Sequence, residues 1–469
     1  MSAAPFPDPA AEAAWRTAVA AVLKGGDFDA RLVGRTLDGI PVQPLYPAAD
    51  APAPAGARPP CRVFARLDAD GLPPLDDLEN GADGLVLLFD GAPTARGFGL
   101  DPAGLGAALA GVALDAAPLR LEPAPFGGLE AVRALLEVAD ARRIPSSSLD
   151  VDAGIDPIGF MARTGEAPRP WADMATLVVE LVGVLRDRGL AGRLLRPDGR
   201  VHHEAGASEA QELAAVVATG VSYLRALDAG GVAPGAARGA LSFTLAADAD
   251  LFLTIAKVRA LRRLWARVEE GCGLDSRPIR IHAETSWRMT ARRDPATNLL
   301  RGALACAGAI LGTADGVTVL PHTAALGLAD PFARRLARNT ALVLRDEAGL
   351  DRVADPGGGA GAVEALTEGL CAAAWDLFGD IESVGGLPAA LADGSWGLRL
   401  AVAQGRRAAE LTAGSRAVLG TTAYPLAEEP PAPVLRPLPP ARRGGAGALP
   451  SLRDDQLVAT AAPMPGGAG

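Results

Sequence analysis

A dense run of polar side chains between residues 280 and 301 is the part of the sequence best suited to chemistry. It reads RIHAETSWRMTARRDPATNLLR and follows a short apolar strand that ends near Ile281. Loops at the carboxyl ends of strands line the working face of α/β barrels, and guanidinium groups match the geometry of phosphate oxygens. The run therefore predicts part of the working face of a barrel, where Arg288, Arg292 and Arg293 could bind phosphate oxygens or could equally be interface or surface charges. Its candidate contacts are Arg280, His282, Arg288 and Arg292.

Histidine and serine clusters elsewhere give weaker signals. His202, His203 and Glu204 are consecutive, but adjacent side chains of a strand point to opposite faces, so a shared metal ion is not expected. His322 has no Cys, Asp or second His at ligand spacing. The serine run 146–148 lacks a nucleophile elbow, which gives a hydrolase triad little support. No metal site is predicted from these clusters.

Strand and helix patterns alternate from about Cys61 onward. Amphipathic helices separate the apolar runs; one begins at the capping box of Ser208 and Gln211, and another follows Asp250. Repeated β–α units require parallel strands, and six or more of them favour a (β/α)8 TIM barrel over an open doubly wound sheet. The expected strands are Gly84–Phe89, Leu119–Leu121, Leu149–Val151, Leu241–Thr244, Ile279–His282 and Val317–Leu320.

The composition along the chain divides it into four parts. Residues 1–60 read as an N-terminal arm and linker that must pack on a partner or back across the body, since they hold apolar anchors but no core. Residues 61–356 form the expected barrel, and 357–427 a helical elaboration whose two long helices, 363–384 and 387–412, meet at Gly385-Gly386. Residues 428–469 are Pro- and Gly-rich, which predicts a mobile tail.

Charge and composition exclude several classes of function. The net charge is −10 with no long basic run, which argues against nucleic acid as a partner. The four cysteines form no CxxC pair and read as reduced thiols of a cytoplasmic protein. No signal peptide is expected at the N-terminus. The longest uncharged apolar stretch, 302–314, is shorter than the ~18 residues of a membrane span.

Several segments, in order along the chain, resemble coenzyme A mutases of the methylmalonyl-CoA mutase family. The polar run that contains RIHAETSWRMTARRDP is one of them. The others are EAGASEAQELAAVVATGVSYLRA from Glu204, LSFTLAADADLFLTIAKVRALR from Leu241, DPFARRLARNTALVLRDEAGLDRVADPGGG from Asp330, WDLFGDIESVGGL and LGTTAYP. The opening AWRTAVAAVLKGGDFDARLVGRTLDGIPVQPLY looks like the smaller chain of the bacterial heterodimeric enzymes. The resemblance implies radical isomerisation of methylmalonyl-CoA and succinyl-CoA with adenosylcobalamin.

The sequence departs from the catalytic chains of that family at the positions that carry the chemistry. Their tyrosine, in an RQYAGF-like segment before the first strand, has CRVFARLDAD from Cys61 as its nearest counterpart, without a tyrosine. Their substrate-binding histidine aligns with Val201. The Asn and Glu that hold the adenosyl group align with Ala324 and Leu328, and no DxHxxG cobalt-ligand motif of a cobalamin-binding domain occurs. The resemblance therefore implies a chain with no catalytic, cofactor-binding or metal residues of its own, with Arg280, His282, Arg288 and Arg292 as vestigial coenzyme A contacts.

The function expected from the resemblance is that of a non-catalytic small subunit. It would pair with the homologous large catalytic subunit in a heterodimer and stabilise it, with the arm wrapped around the partner. Adenosylcobalamin would be bound by the large subunit and not by this chain. Two alternatives are a catalytic barrel of a split acyl-CoA mutase, which uses a separate cobalamin-binding protein, and a stand-alone CoA-thioester binding protein.

Overall fold

The structure is a computed structural model that describes residues 9–50, 58–190, 192–441 and 444–460. Most strands are short, and most coincide with an apolar run of the sequence. In chain order the strands of the described residues are β1 Gly34–Arg35, β2 Pro41–Val42, β3 Arg62–Leu67, β4 Gly84–Leu88, β5 Leu119–Glu122, β6 Val151–Asp152, β7 Phe243–Ala247, β8 Ile281–Thr285, β9 Gly316–Thr318, β10 Gly327–Ala329 and β11 Val434–Pro437.

Helices surround the strands, as a βα barrel requires. None of them, in the part of the chain that the structure describes, combines the length and apolarity needed to cross a bilayer. They are α1 Pro9–Leu23, α2 Phe28–Leu32, α3 Leu75–Glu79, α4 Leu105–Ala108, α5 Gly128–Ala141, α6 Pro157–Thr164, α7 Trp171–Asp187, α8 Arg200–Glu204, α9 Glu209–Ala229, α10 Pro234–Gly239, α11 Leu251–Gly271, α12 Thr297–Leu311, α13 Pro331–Leu342, α14 Gly361–Ser383, α15 Leu387–Ala392, α16 Ser395–Ala413 and α17 Asp454–Thr460.

Seven parallel strands form one curled sheet in the order β6-β5-β4-β3-β9-β8-β7. The two edge strands, β6 and β7, are joined by the segment 194–198. Leu195 makes parallel bridges to Ile155 on one side and to Leu241 on the other, and the amide of Thr244 donates to the carbonyl of Pro197 at 3.1 Å. The segment therefore takes the place of the fifth barrel strand, and the barrel is closed. This confirms the predicted α/β barrel architecture.

The capping residues explain where two long helices begin. The Ser208 hydroxyl accepts the amide of Gln211, and the Gln211 side chain accepts the amide of Ser208, which is the predicted capping box. The Asp250 carboxylate likewise caps α11 by accepting the amide of Leu253. Both predicted helix starts are confirmed.

Three local predictions are wrong. The segment CRVFARLDAD was expected before the first strand, but β3 lies within it and is the first barrel strand. His202 and His203 lie in the short helix α8, not on a strand, because the loop after the 194–198 segment turns at Gly199. The second C-terminal helix is broken into α15 and α16 at Gly394, whose φ of 78° is left-handed.

The described part of the N-terminal arm lies back across the body. The Asp38 carboxylate accepts the amide of Ala210 at 3.2 Å, at the start of α9. Ile40 is buried against Gly369 of α14, where a Cβ would collide with the Ile40 side chain. The amide of Ala49 donates to the carbonyl of Gly359 at 3.1 Å. This is one of the two positions expected for the arm.

The described part of the tail is packed on the barrel, which differs from the mobile tail expected from its Pro and Gly content. Strand β11 pairs antiparallel with β10. Farther along, the Asp454 carboxylate accepts both Nε and Nη2 of Arg407 at 2.7 Å, and its amide donates to the carbonyl of Arg288 at 2.9 Å. A polar segment can be ordered when buried guanidinium groups fix it in this way.

Candidate functional site

The four predicted contact residues do not converge on one site. Arg280 and His282 lie at the start of β8, at the amino-terminal end of the barrel. Arg288 and Arg292 follow the end of β8, beyond the carboxyl-terminal mouth. A single ligand head group could not touch both pairs, because the length of the barrel strand separates them.

His282 points into the barrel lumen. Its Nε2 lies 2.9 Å from the Thr318 hydroxyl, and its ring packs edge-on against Phe64 at a centroid distance of 5.2 Å. Its Nδ1 is buried without a hydrogen-bond partner. Burial, and then the charges of Arg120 and Arg200, place the pKa of His282 well below its usual range. The imidazole is therefore neutral.

Arg288 is fully buried, whereas Arg292 is exposed. The Arg288 Nη1 donates to the carbonyls of His203 and Ala207 at 3.0 and 2.7 Å, and its Nη2 donates to Asp248 at 3.0 Å. The Arg288 guanidinium thus binds its own chain. Within the described part of the chain, the hydrogen bond that Arg292 makes comes from its backbone amide, which donates to Asp455 at 2.8 Å.

The two consecutive histidines of α8 serve different neighbours. His202 Nδ1 accepts the indole N–H of Trp396 at 3.1 Å, and burial lowers the pKa of His202 to about 4. His203 lies between Glu212 and Ser286, with ring nitrogens at 3.1 and 2.8 Å from them. The two imidazole rings therefore face different partners. Both lie in a helix and not on the strand that was first expected.

Charged and polar side chains fill the lumen of the barrel. They occupy every second position of β5 and β8, and the alternating apolar residues, such as Leu119 and Leu121 of β5, face the surrounding helices. Phe64 of β3 and Val86 and Leu88 of β4 form a separate apolar cluster in the lumen. The buried charged members are Arg120, Glu122, Asp152, Arg196, Arg200 and Glu284, and the partly buried Arg66 pairs with Glu284 at 3.3 Å.

Ion pairs link these charges across the barrel axis. Glu122 lies 2.8 Å from both Arg196 and Arg200. Arg200 also lies 3.0 Å from Glu284, and Arg120 lies 2.6 Å from Asp152. Burial alone would raise the pKa of Glu122, but the guanidinium groups of Arg196 and Arg200 outweigh it and lower the pKa to about 2. The lumen is thus occupied by fixed charges of the chain itself.

The cavities along the axis are small. Two cavities at the carboxyl-terminal end have volumes of about 40 Å³ each, and the one beside Arg280 and His282 has about 50 Å³. One water molecule takes up roughly 30 Å³ in the liquid, and ligand sites usually measure ~300–1,000 Å³. These cavities have room for single waters and not for an acyl thioester.

The mouth of the barrel is closed by stacked and paired side chains. The Arg96 guanidinium lies 3.9 Å from the centroid of the Trp287 ring, and that of Arg453, from the tail, lies 5.2 Å from it. Arg96 also pairs with Glu204 at 2.6 Å, and the amide of Leu452 donates to the Glu204 carbonyl at 3.1 Å. The tail thereby covers the face on which α/β barrels carry their active sites.

The residues aligned with the adenosyl contacts do not fit an adenosyl group. Ala324 and Leu328 line a cavity of about 40 Å³ together with Glu284 and Trp287. Neither side chain can donate or accept a hydrogen bond, and Leu328 is paired with Arg436 of the tail. Val201, aligned with the substrate histidine, is buried in α8. No step of mutase chemistry can be assigned to these positions.

One larger cavity, of about 580 Å³, lies off the axis between the arm and the start of α11. It is lined by both acidic and basic groups, several of them paired within the chain. Arg416 lies 3.0 Å from Glu410, and Arg407 is held by Asp454. Because both signs of charge are present and paired, the lining identifies no ligand class.

The sequence interpretation missed the lumen network, although a signal for it was present. Strands buried on both faces usually read as continuous apolar runs. Here charged or polar residues stand at every second position of β5 (LRLE) and β8 (IHAET). That alternation indicates a polar lumen, and it distinguishes Arg120 and Glu122 from surface charges.

The folded chain is expected to lose stability in acid. Burial would raise the pKa of Glu204 and Glu212, but nearby cations lower each to about 2, as for Glu122. Their ordinary value is 4.5, so the unfolded chain binds more protons between these limits. The stability that these three carboxylates supply is therefore complete above about pH 4.5 and is lost as the pH drops towards 2. Circular dichroism melting from pH 7 to 3 should show Tm falling steeply below pH 4.5, also at about 0.5 M salt, since buried pairs are weakly screened. An unchanged Tm down to pH 3 would contradict the ion pairs.

Comparisons with known proteins agree with the motifs. A family model described as methylmalonyl-CoA mutase matches residues 102–456. The chain is 41% identical to the methylmalonyl-CoA mutase small subunit of Streptomyces virginiae, over 97% of this chain and 76% of that protein. It is 37% identical to a probable methylmalonyl-CoA mutase small subunit of Mycobacterium tuberculosis, over 96% and 77%. It is 30% identical to a methylmalonyl-CoA mutase of Cereibacter sphaeroides, over 90% and 65%. The chain therefore belongs to the methylmalonyl-CoA mutase family.

Proposed function

We propose that this chain is the small, non-catalytic subunit of a heterodimeric methylmalonyl-CoA mutase. The observation that carries the proposal is the barrel lumen, which is filled by ion pairs between Glu122, Arg196, Arg200 and Glu284. The barrel has the architecture of the family, but the cavities along its axis are too small for a thioester substrate. Its role would be to stabilise the homologous large subunit, in the cytoplasm.

The named relatives support this assignment. The proteins of Streptomyces virginiae and Mycobacterium tuberculosis are described as small subunits, and the chain aligns with them over nearly all of its length. A small subunit implies a large one, which would hold adenosylcobalamin and supply the radical chemistry. The residues that this chain offers at the adenosyl position, Ala324 and Leu328, would leave that task to the partner.

The two alternatives have less support. A split mutase, with its cobalamin-binding domain on a separate protein, would still need a lumen open to the thioester. A stand-alone CoA-thioester binding protein would need free guanidinium groups, but Arg288 is bound to carbonyls of its own chain. Binding of coenzyme A by Arg280, His282 or Arg292 stays a prediction.

Turnover measurements test the assignment. With adenosylcobalamin and methylmalonyl-CoA, this chain alone is expected to show no turnover, and its mixture with the large mutase subunit of the same organism is expected to be active. The large chain should also melt at a higher temperature in the mixture, because a partner that binds only the folded state stabilises it. Turnover by this chain alone would overturn the proposal, as would a large chain that is equally stable and active without it.

A further inference from the structure

The small cavity at the amino-terminal end of the barrel is lined by more guanidinium groups than carboxylates. Its volume is about 50 Å³, and it lies where strands β3, β5, β8 and β9 begin, at the opposite end from the mouth that the tail covers. The acidic side chains in its lining are Asp150, Asp152 and Asp315, and the basic ones are Arg62, Arg120, Arg193 and Arg280.

Two of these carboxylates are already bound by arginines. Asp150 lies 2.7 Å from Arg62 and also contacts Arg193. Asp315 lies 2.9 Å from Arg262, which reaches it from helix α11. Two negative charges therefore face three positive ones in these pairs. The amino-terminal end of the barrel has an excess of positive charge even before Arg280 is included.

Arg280 adds a further positive charge beside the cavity. Among the described residues, no carboxylate lies within ion-pair distance of its side chain. Burial, and then the charges of Arg280 and Arg62, lower the pKa of Arg193 to about 10, and its contact with Asp150 does not outweigh them. Like charges held this close together disfavour the charged forms of both groups. An anion between them would relieve the repulsion.

The inner wall of the cavity carries two buried nitrogen atoms without a hydrogen-bond partner among the described groups. They are Nε of Arg120 and Nδ1 of His282, whose side chains are in residues only 6% and 5% exposed. The other two nitrogens of Arg120 bind Asp152 and Thr244 at 2.6 and 2.9 Å. The imidazole Nδ1 lies beside Gly316, where a Cβ would approach it to 3.0 Å. Buried polar atoms nearly always have a partner, so the cavity should hold one.

A small anion suits these surroundings better than a water molecule. The Nε–H group of Arg120 can only donate a hydrogen bond. The neighbouring carboxylates already accept bonds from arginines, so a water would find few acceptors for its own protons. The charges that shift the pKa of His282 are positive as well, namely those of Arg120, Arg200 and Arg196. The volume has room for one monatomic ion and not for a larger oxyanion.

We propose that the cavity beside Arg280 and His282 binds a chloride ion. The ion would accept the Nε–H of Arg120 and the N–H of His282, whose imidazole would carry its proton on Nδ1. The Thr318 hydroxyl, 2.9 Å from Nε2, would then donate to that atom. By offsetting the repulsion between Arg193 and Arg280, the ion would stabilise the amino-terminal end of the barrel. This inference goes beyond the proposed function, because the binding needs neither a partner chain nor turnover.

Thermal unfolding of the full chain tests the chloride site. Sodium chloride replaces sodium gluconate at a fixed ionic strength of about 0.2 M, so that general screening stays the same. The Tm of the wild type should rise by about 2 °C or more and then saturate, because the ion binds only the folded state. The rise should be absent in Arg280→Met. Arg277→Met is the matched control, since it removes an exposed arginine from the same loop but outside the cavity, and it should keep the rise.

Anomalous diffraction from wild-type crystals grown in sodium bromide locates the ion independently of any variant. A bromide peak within hydrogen-bond distance of Arg120 and His282 is expected. No peak there, or equal Tm values of the wild type in chloride and gluconate, would overturn the proposal, as would a chloride effect that Arg280→Met retains. A peak without any effect on Tm would mean an adventitious ion only. If inorganic phosphate raises Tm at the same ionic strength and chloride does not, the site takes an oxyanion and the assignment to chloride is wrong.

Discussion

Replacing Glu122 by glutamine is expected to lower the free energy of unfolding by about 3–5 kcal/mol. Glu122 accepts hydrogen bonds from Arg196 and from Arg200, and from the Thr94 hydroxyl at 2.9 Å. The amide of glutamine keeps the shape but carries no charge, so two buried guanidinium groups lose their shared counter-ion. Removing one partner of a buried ion pair is strongly destabilising, because the remaining charge is shielded neither by its partner nor by water. Replacing both partners by apolar residues usually costs far less.

Urea unfolding of the full chain measures this effect. The matched control is Glu12→Gln, which makes the same chemical change in an exposed pair with Arg16 at 3.0 Å. Exposed pairs of this kind contribute ~0.5 kcal/mol or less, so the control should unfold as the wild type does. Equal unfolding free energies for Glu122→Gln and the wild type would mean that the lumen is hydrated and open, which would also weaken the case for a closed, non-catalytic barrel.

The sequence predicted most of the barrel because its apolar runs are strong local signals. Strands β4, β5 and β8 each overlap a predicted strand, and the capping residues Ser208 and Asp250 correctly marked two helix starts. These features depend on residues a few positions apart, so the sequence alone is enough to predict them.

The fifth position of the barrel was not predicted, for a physical reason. The segment 194–198 contains Pro197, which has no amide to donate and therefore argues against a strand in the interior of a sheet. The segment still closes the barrel, because the carbonyl of Pro197 accepts the amide of Thr244 and that of Leu195 accepts the amide of Ser242. Only the meeting of both sheet edges, which is a property of the whole fold, reveals its role.

The candidate site was predicted less well than the fold. The part of the polar run from Ser286 onward follows a barrel strand as predicted, but the strand β8 itself spans Ile281–Thr285 and takes up the beginning of the run. Whether the side chains of the run face a ligand or the chain itself depends on distant residues. Arg288 is held by carbonyls about 80 positions earlier in the chain, and the tail covers the mouth through Leu452 and Asp454. Contacts of this kind leave no periodic pattern in the sequence.

Replacing Arg288 is expected to have the second large effect on stability. The sequence predicted this residue as a coenzyme A contact, whereas in the structure its guanidinium binds groups of its own chain. Replacement by methionine, which keeps most of the side-chain volume, would remove three hydrogen bonds and leave the carbonyls of His203 and Ala207 without their donor. The Asp248 carboxylate would keep His203 at 3.4 Å and Arg407 at 3.8 Å. We expect the free energy of unfolding to fall by about 3 kcal/mol or more, since buried acceptors and a charge lose their partner.

The same change at Arg292 is the matched control, because its side chain is exposed and, among the described residues, its hydrogen bond comes from the backbone amide, which donates to Asp455. Arg292→Met should alter the unfolding free energy by less than about 0.5 kcal/mol. Urea unfolding of both variants is compared with calorimetric titration by succinyl-CoA. A destabilised Arg288→Met variant, with thioester binding no different from that of the wild type, supports the structural role. A variant that is as stable as the wild type but has lost measurable thioester binding would instead make Arg288 a ligand contact, and would mean that the mouth of the barrel opens further than its packing indicates.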